Sequence, residues 1–459
     1  MSGVSSLFIL GGLLFGAEAP HTYLMEPGTE VWDVATHDMN GDGKAEIFVL
    51  CCNEKSDPLE KFIAVYFADA EGAYPEKPTK KVSLDPSVGA AFFAKVDGAP
   101  PLELVAVNAE GGTIYAFRDG EFVKTDEPRF ISLLPSGAKH PIFLKDVAAD
   151  LDGDEVDEWV VPVPSGYEIR NAAEVIRRVS CDVVSDIRSN DSITITHRLP
   201  AHHLMTLENQ KSKGLAFLSD ETADFWYGDT WSEHKRFKIP FNLDEKWEAN
   251  AKMEDINGDG LPDLIVSQTK GTINIEAHTQ VYLASSAFEY PEKPTASLDA
   301  KGAVTSPYLI DVNGDKKADL IIITVPIGLK FFMNYFMMNK LSVAVEVYLF
   351  DGAGYGAKPD FKTSLSFDAP EGRQTAAYAM GDFNGDGRID AAFGAGSDKM
   401  EIHTGSATQF LSSKPWVTLS LPPFGVARTC NLVDGKKAKD LILFHPGGDN
   451  KTRLHAIVF

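Results

Sequence analysis

The chain has 459 residues, 44% of them hydrophobic and 24% charged, an ordinary balance for a globular protein. Sixty-six acids against 43 Lys and Arg give a formal net charge of −23. No basic stripe is left to neutralise phosphates, which excludes nucleic acid as a partner.

In chain order, the first element is an apolar stretch from Leu7 to Gly16 followed by Ala17-Glu18-Ala19. A small-x-small pattern after such a stretch reads as an export signal, with cleavage after Ala19. Residues 1–19 are thus the signal and 20–459 a single domain, expected to be secreted, periplasmic or on the cell surface. The missing Lys or Arg near Met1 keeps a buried first strand as the alternative. His21–Glu26 is then a strand left over before the first inner strand at Thr29–Thr36.

Five copies of one loop follow: Asp-x-(Asn/Asp)-Gly-Asp with an acid four residues on, each ahead of a short apolar run. Loop positions 1, 3, 5, 7 and 9 are Asp38, Asn40, Asp42, Lys44 and Glu46 in the first copy. In the second they are Asp150, Asp152, Asp154, Val156 and Glu158, and in the third Asp255, Asn257, Asp259, Leu261 and Asp263. The fourth has Asp311, Asn313, Asp315, Lys317 and Asp319, and the fifth Asp382, Asn384, Asp386, Arg388 and Asp390. Side-chain oxygens at 1, 3, 5 and 9, with a backbone carbonyl at 7, suit a hard cation such as Ca²⁺. About five calcium sites are therefore expected.

An EF-hand begins alike but needs a bidentate Glu at position 12 and flanking helices. Position 12 here is Val49, Val161, Val266, Ile322 and Phe393. The apolar runs behind the loops read as strands buried on both faces. Two further segments keep the outline without the chemistry: Lys95–Glu103, with Lys95 and Ala99 at positions 1 and 5, and Leu432–Asp440, with Leu432 and Lys436 there. In the second, Lys436 is a candidate replacement for the ion between Asp434 and Asp440.

Tyr74-Pro-Glu-Lys-Pro-Thr79 recurs as Tyr290-Pro-Glu-Lys-Pro-Thr295, with looser versions at Lys358-Pro359 and Lys414-Pro415. Each reads as the turn between a third and a fourth strand. The gap from 150 to 255 is long enough for two units, but only one hairpin is visible in it, from Asp224–Tyr227 to Arg236–Ile239. It reads as one unit with an insertion at about 165–214; a smaller insertion falls at 328–341. Radial repetition of four-stranded sheets is an all-β propeller. The expected fold is a seven-bladed β-propeller with four-stranded blades, eight being the alternative, closed by His21–Glu26 joining the C-terminal blade.

With its metal loops, the strands behind them and Phe393-Gly394-Ala395-Gly396, the chain resembles the FG-GAP and VCBS-type repeat family, which includes the heads of integrin α chains. The resemblance implies a propeller with Ca²⁺ in the loop joining strands one and two of a blade. It also implies a non-catalytic binding or adhesion module for a protein or glycan.

The insertions fall on the face opposite the calcium loops, where long loops on a rigid scaffold place binding. The run Phe331–Met338 is too short to cross a bilayer. A short helix on the rim, or one plugging the channel mouth, is preferred over a Met-rich partner site or membrane contact. His197, His202 and His203 read as exposed loop histidines, and Asp220, Glu221 and Asp224 as a carboxylate cluster. The alternative function is an extracellular polysaccharide lyase or hydrolase on that face, which a pocket joining His202 or His203 to Asp220 or Asp224 would favour. The four cysteines show no metal or redox spacing and read as buried free thiols.

Overall fold

The computed structural model describes residues 19–459 apart from 182, 190–192, 207–212, 220, 228–232, 240–246, 272–275, 302–306, 326–328 and 369–375. Apart from its last residue, Ala19, the expected export signal lies outside the described residues.

Short strands rich in branched residues pair antiparallel with their sequence neighbours, and each group of four forms one sheet. Among the described residues there are eight such sheets, the alternative kept beside the seven expected. Blade 1 runs from Val31–His37 to Lys80–Leu84, blade 2 from Ala90–Ala94 to Glu121–Asp126, and blade 3 from Ala148–Ala149 to Val175–Ser180. Blade 4 runs from Ala201–Thr206 to Glu233–Lys238, blade 5 from Trp247–Glu254 to Ala296–Lys301, and blade 6 from Tyr308–Ile310 to Phe361–Asp368. Blade 7 runs from Tyr378–Gly381 to Val417–Leu419, and blade 8 from Val426–Cys430 to Leu454–Val458. Blade 2 gains a fifth strand, Ile142–Phe143, parallel to its first. As the sequence suggested, His21–Met25 completes blade 8 by pairing with Leu454–Val458, which covers a sheet edge.

The long gap therefore holds two blades. Segment 165–214 is not one insertion: it contains the last two strands of blade 3, a separate hairpin (Val184–Ser189 with Ile193–Arg198), and the first strand of blade 4 with the start of its second. The hairpin from Asp224–Tyr227 to Arg236–Ile239 does supply the third and fourth strands of blade 4.

Period-2 alternation explains why the ring closes. In the second strand of blade 1, Ile47, Val49 and Cys51 pack toward blade 8, while Phe48 and Leu50 pack toward blade 2. The same division holds around the ring, so each apolar cluster is shared by two successive blades, the last joining blade 8 to blade 1. Neither blade of a pair buries its apolar face without the other.

The candidate metal loops and the opposite face

Each of the five loops joins the first strand of a blade to the second, and each folds by the same local bonds. The Asp at position 1 accepts the N–H of position 4 at 2.7–2.8 Å (Gly41, Gly153, Gly258, Gly314, Gly385). Its second oxygen accepts the N–H of position 6 at 2.8–3.2 Å. The Asp at position 5 accepts the N–H of position 7. Position 4 holds φ between 73° and 85°, which is why it is glycine.

The residue at position 2 (Met39, Leu151, Ile256, Val312 or Phe383) is buried, and its N–H donates to the closing acid at 2.6–2.9 Å. All five closing acids are buried. Desolvation is the main cause that pushes their carboxyls up, to about 7 for Glu46 and Glu158 and about 6 for Asp263, Asp319 and Asp390. A buried carboxyl of this kind is the group a bound cation would hold ionised.

Fit to a metal is not uniform. Asp38, Asp42 and Glu46 bring carboxylate oxygens within 4.8 Å of one another, and so do Asp150, Asp152 and Glu158. Among the described residues, these are the two groups of three that do so. Both close with Glu, whose longer side chain reaches inward. In the other three loops the second oxygen of the closing Asp accepts an N–H from beyond the third strand: Ala284 at 2.7 Å, Phe350 at 2.9 Å and Gly405 at 2.9 Å.

The blade 8 loop is one residue longer than Leu432–Asp440 suggested. Leu432 is buried and its N–H donates to Asp440 at 2.9 Å, so it fills position 2 and Asn431 stands at position 1. Lys436 Nζ lies 2.8 Å from the buried Asp440, and Lys439 Nζ lies 3.0 Å from Asn431 Oδ1. Asp434 is held differently, its N–H donating to Gly43 O at 2.8 Å. In blade 2, burial pushes the Glu103 carboxyl up, and its partner is the Val96 N–H at 2.9 Å.

Three tyrosines that chemistry-based reading passed over brace these loops. The hydroxyls of Tyr74, Tyr290 and Tyr355 donate to the carbonyls of Ala45, Pro262 and Ala318 at 2.6, 2.8 and 2.6 Å. Each acceptor sits just before a closing acid. The signal was present, since each tyrosine stands three residues before a Lys-Pro pair.

Because strands alternate in direction, turns after second strands and links between blades lie on the other face. That face carries the helix Leu329–Met338, after the second strand of blade 6, and the hairpin 184–198 between blades 3 and 4. Met333, Tyr335, Phe336, Met337 and Met338 are exposed, with Phe336 at 75% and Met337 at 77%. On the hairpin, Ile187 is 70% exposed and pairs with Ile195, also exposed. A groove of about 990 Å³ lies between this hairpin and blade 4, lined in part by His197, Trp226, His234 and Arg236. No described helix is long and apolar enough to cross a membrane.

His202 and His203 lie on the inner strand of blade 4 rather than in a loop, and burial pushes both imidazoles down. His202 Nε2 is 3.1 Å from Asp146 O. In register, His202, Phe217 and Asp224 stand abreast, so Phe217 separates imidazole from carboxylate. Asp224 instead accepts Arg236 Nε at 2.7 Å and faces His234 Nε2 at 2.8 Å; Asp220 lies outside the described residues. Cys51 and Cys52 are buried free thiols, while Cys181 and Cys430 are half-buried.

A family model described as an FG-GAP-like repeat matches residues 255–322, which span the loops of blades 5 and 6. No curated protein matches the chain. Among solved structures, it is similar to the Dos1 propeller at 9% identity, over 96% of this chain and 94% of that one, with a TM-score of 0.45. It is similar to BBS1N in its complex with ARL6DN at 8% identity, over 95% of each chain, with a TM-score of 0.40. The V. cholerae biofilm matrix protein Bap1 is similar at 10% identity, over 95% of this chain and 88% of that one, with a TM-score of 0.33.

Proposed function

We propose that this chain, which is an FG-GAP-type β-propeller, is an exported, calcium-stabilised binding module that takes a protein or glycan on the face opposite its acidic loops. The observation that carries this reading is the division of labour between the faces. One face holds the self-bracing loops with their buried closing acids; the other presents exposed apolar side chains on a helix and a hairpin, beside a wide groove. Patches of that kind mark interaction sites more often than chance exposure. The ion belongs to the scaffold: Asp38, Asp42 and Glu46, and likewise Asp150, Asp152 and Glu158, supply oxygen ligands to Ca²⁺, with the other three loops as further sites. Bound there, the ion neutralises clustered carboxylates and fixes the turn between two strands.

The test is a glycan-array and pull-down screen of the purified chain with and without Ca²⁺, run beside a Phe336→Ser/Met337→Ser variant. A ligand held by the native chain in Ca²⁺ and lost by the variant is the expected result. Undiminished binding by the variant would move the site off the helix. Export has its own readout: the secreted chain should begin after Ala19, and an intact N-terminus on secreted material would refute the signal.

A further inference from the structure

The loops of neighbouring blades are bonded main chain to main chain. The residue before each closing acid uses its N–H for this: Ala318 donates to Ile256 O (2.8 Å), Ile389 to Val312 O (3.3 Å), Lys439 to Asp382 O (2.7 Å) and Ala45 to Leu432 O (3.0 Å). In ring order these bonds run through blades 5, 6, 7, 8 and 1 without a break. A fifth bond, Asp157 N–H to Lys95 O at 2.8 Å, joins the blade 3 loop to the degenerate loop of blade 2, and among the described residues no bond of this kind carries that pair on to the blade 1 loop. Blade 5 cannot extend the arc backward, because its residue at that position is Pro262, which has no N–H. Contact along the arc is tight: a Cβ on Gly314 would lie 2.5 Å from Gly387 O.

Within the arc, blade 8 lacks the acids at positions 1 and 5. There the ammonium groups of Lys436 and Lys439 sit on Asp440 and Asn431 at 2.8 and 3.0 Å.

We propose that the loops of blades 5, 6, 7 and 1 take up divalent cations as a linked set, with the blade 8 lysines as a built-in cation between them, while the blade 3 loop binds apart. The inference rests on reading the loops as Ca²⁺ sites. An ion that fixes one loop also fixes the carbonyl and the N–H that its neighbours use. The ordering cost is then borne partly by the first ion bound, which gives positive coupling without a change of shape. Repulsion between ions opposes this, but salt screens charges on an exposed face.

Calorimetric titration of the full chain with CaCl₂ tests the proposal, each sample being checked for native circular dichroism. Asp311→Ala/Asp315→Ala, in a loop bonded on both sides, should remove one ion and weaken the remaining arc sites by about fivefold or more. Asp150→Ala/Asp154→Ala should also remove one ion, and leave the affinity of the rest unchanged. Lys436→Gln/Lys439→Gln, which spares every acid, should weaken the arc at constant stoichiometry. If the first and third variants leave the remaining affinities unchanged, the loops are independent and the linkage is wrong while the ion sites stand. If the native chain takes up no Ca²⁺, the reading of the loops fails and the linkage with it.

Discussion

Tyr355 shows how much of a loop's rigidity comes from a residue outside it. Its hydroxyl reaches Ala318 O at 2.6 Å, beside the closing Asp319. Tyr355→Phe removes one bond to a half-buried carbonyl, and urea denaturation should show a loss of about 1 kcal/mol. Lys436 carries more. Asp440 is fully buried, so Lys436→Met leaves it without its ammonium partner. The expected loss is about 3 kcal/mol, at the low end for a broken buried pair because Lys436 keeps part of its side chain in water. A stability equal to wild type would show that the lysine is ornamental. His455 supplies a pH test. Burial first, then His445 and Arg453, pushes its imidazole down to about 4. It is neutral in both states above about 6.5, so it contributes nothing to pH dependence there. As pH falls from about 6.5 to 4, only the unfolded chain takes the proton, and stability falls. In Ca²⁺-saturated samples, the difference in stability between wild type and His455→Gln should shift against wild type across that interval; a pH-independent difference would refute the assignment.

At the scale of the element, what could be read from residues alone followed the chemistry that constrains them. A cation loop needs oxygens at fixed spacing, so five blades announced themselves and their turns were placed between first and second strands. The Lys-Pro turns likewise fell between third and fourth strands. The sequence of blade 4 carries no such motif, and the turn of blade 3 between Gly166–Arg170 and Val175–Ser180 uses no Lys-Pro pair. There Asn171 Oδ1 accepts the N–H groups of Ala173 and Glu174 at 2.9 Å each, a local turn that any short polar side chain serves. Two blades thus resembled one with an insertion. The extra residue in the blade 8 loop was hidden for a related reason: the marker of register is a buried apolar residue at position 2, and Leu432 and Val433 are equally apolar on paper. Closure was legible, because a strand without a partner needs one. Deleting residues 20–26 removes His21–Met25 from blade 8 and the buried Met25 from the cluster between blades 8 and 1. The truncated chain should unfold at lower urea and self-associate through the exposed edge of Leu454–Val458; unchanged stability and a clean monomer would show that the strand is dispensable.

For the molecule as a whole, if the loops are the Ca²⁺ sites proposed above, the shared clusters set the consequence of losing metal. Each apolar cluster belongs to two blades, so loosening one blade strips a face from both neighbours, and the ring should unfold as a unit. Extracellular-type sites with affinities near ~10⁻⁴ M contribute about 1.4 kcal/mol each at ~1 mM Ca²⁺. Several such contributions approach the net stability of an ordinary domain, about 5–15 kcal/mol. Chelation should therefore move a single calorimetric transition to lower temperature rather than split off a low-melting fragment. Without the ion, clustered carboxylates repel and the buried closing acids titrate, so the metal-free chain should also lose stability as pH rises. The sign follows from the raised carboxyls. Below the ordinary carboxylate range both states are protonated; between about 4 and 7 the unfolded chain loses protons that Glu46 and Glu158 retain, which favours unfolding. Added Ca²⁺ should reverse that slope. Scanning calorimetry at pH 5 and pH 8, with CaCl₂ or with a chelator, separates the cases: metal-dependent stabilisation that grows with pH is expected, and equal melting temperatures in all four samples would remove the ion from the account of this fold.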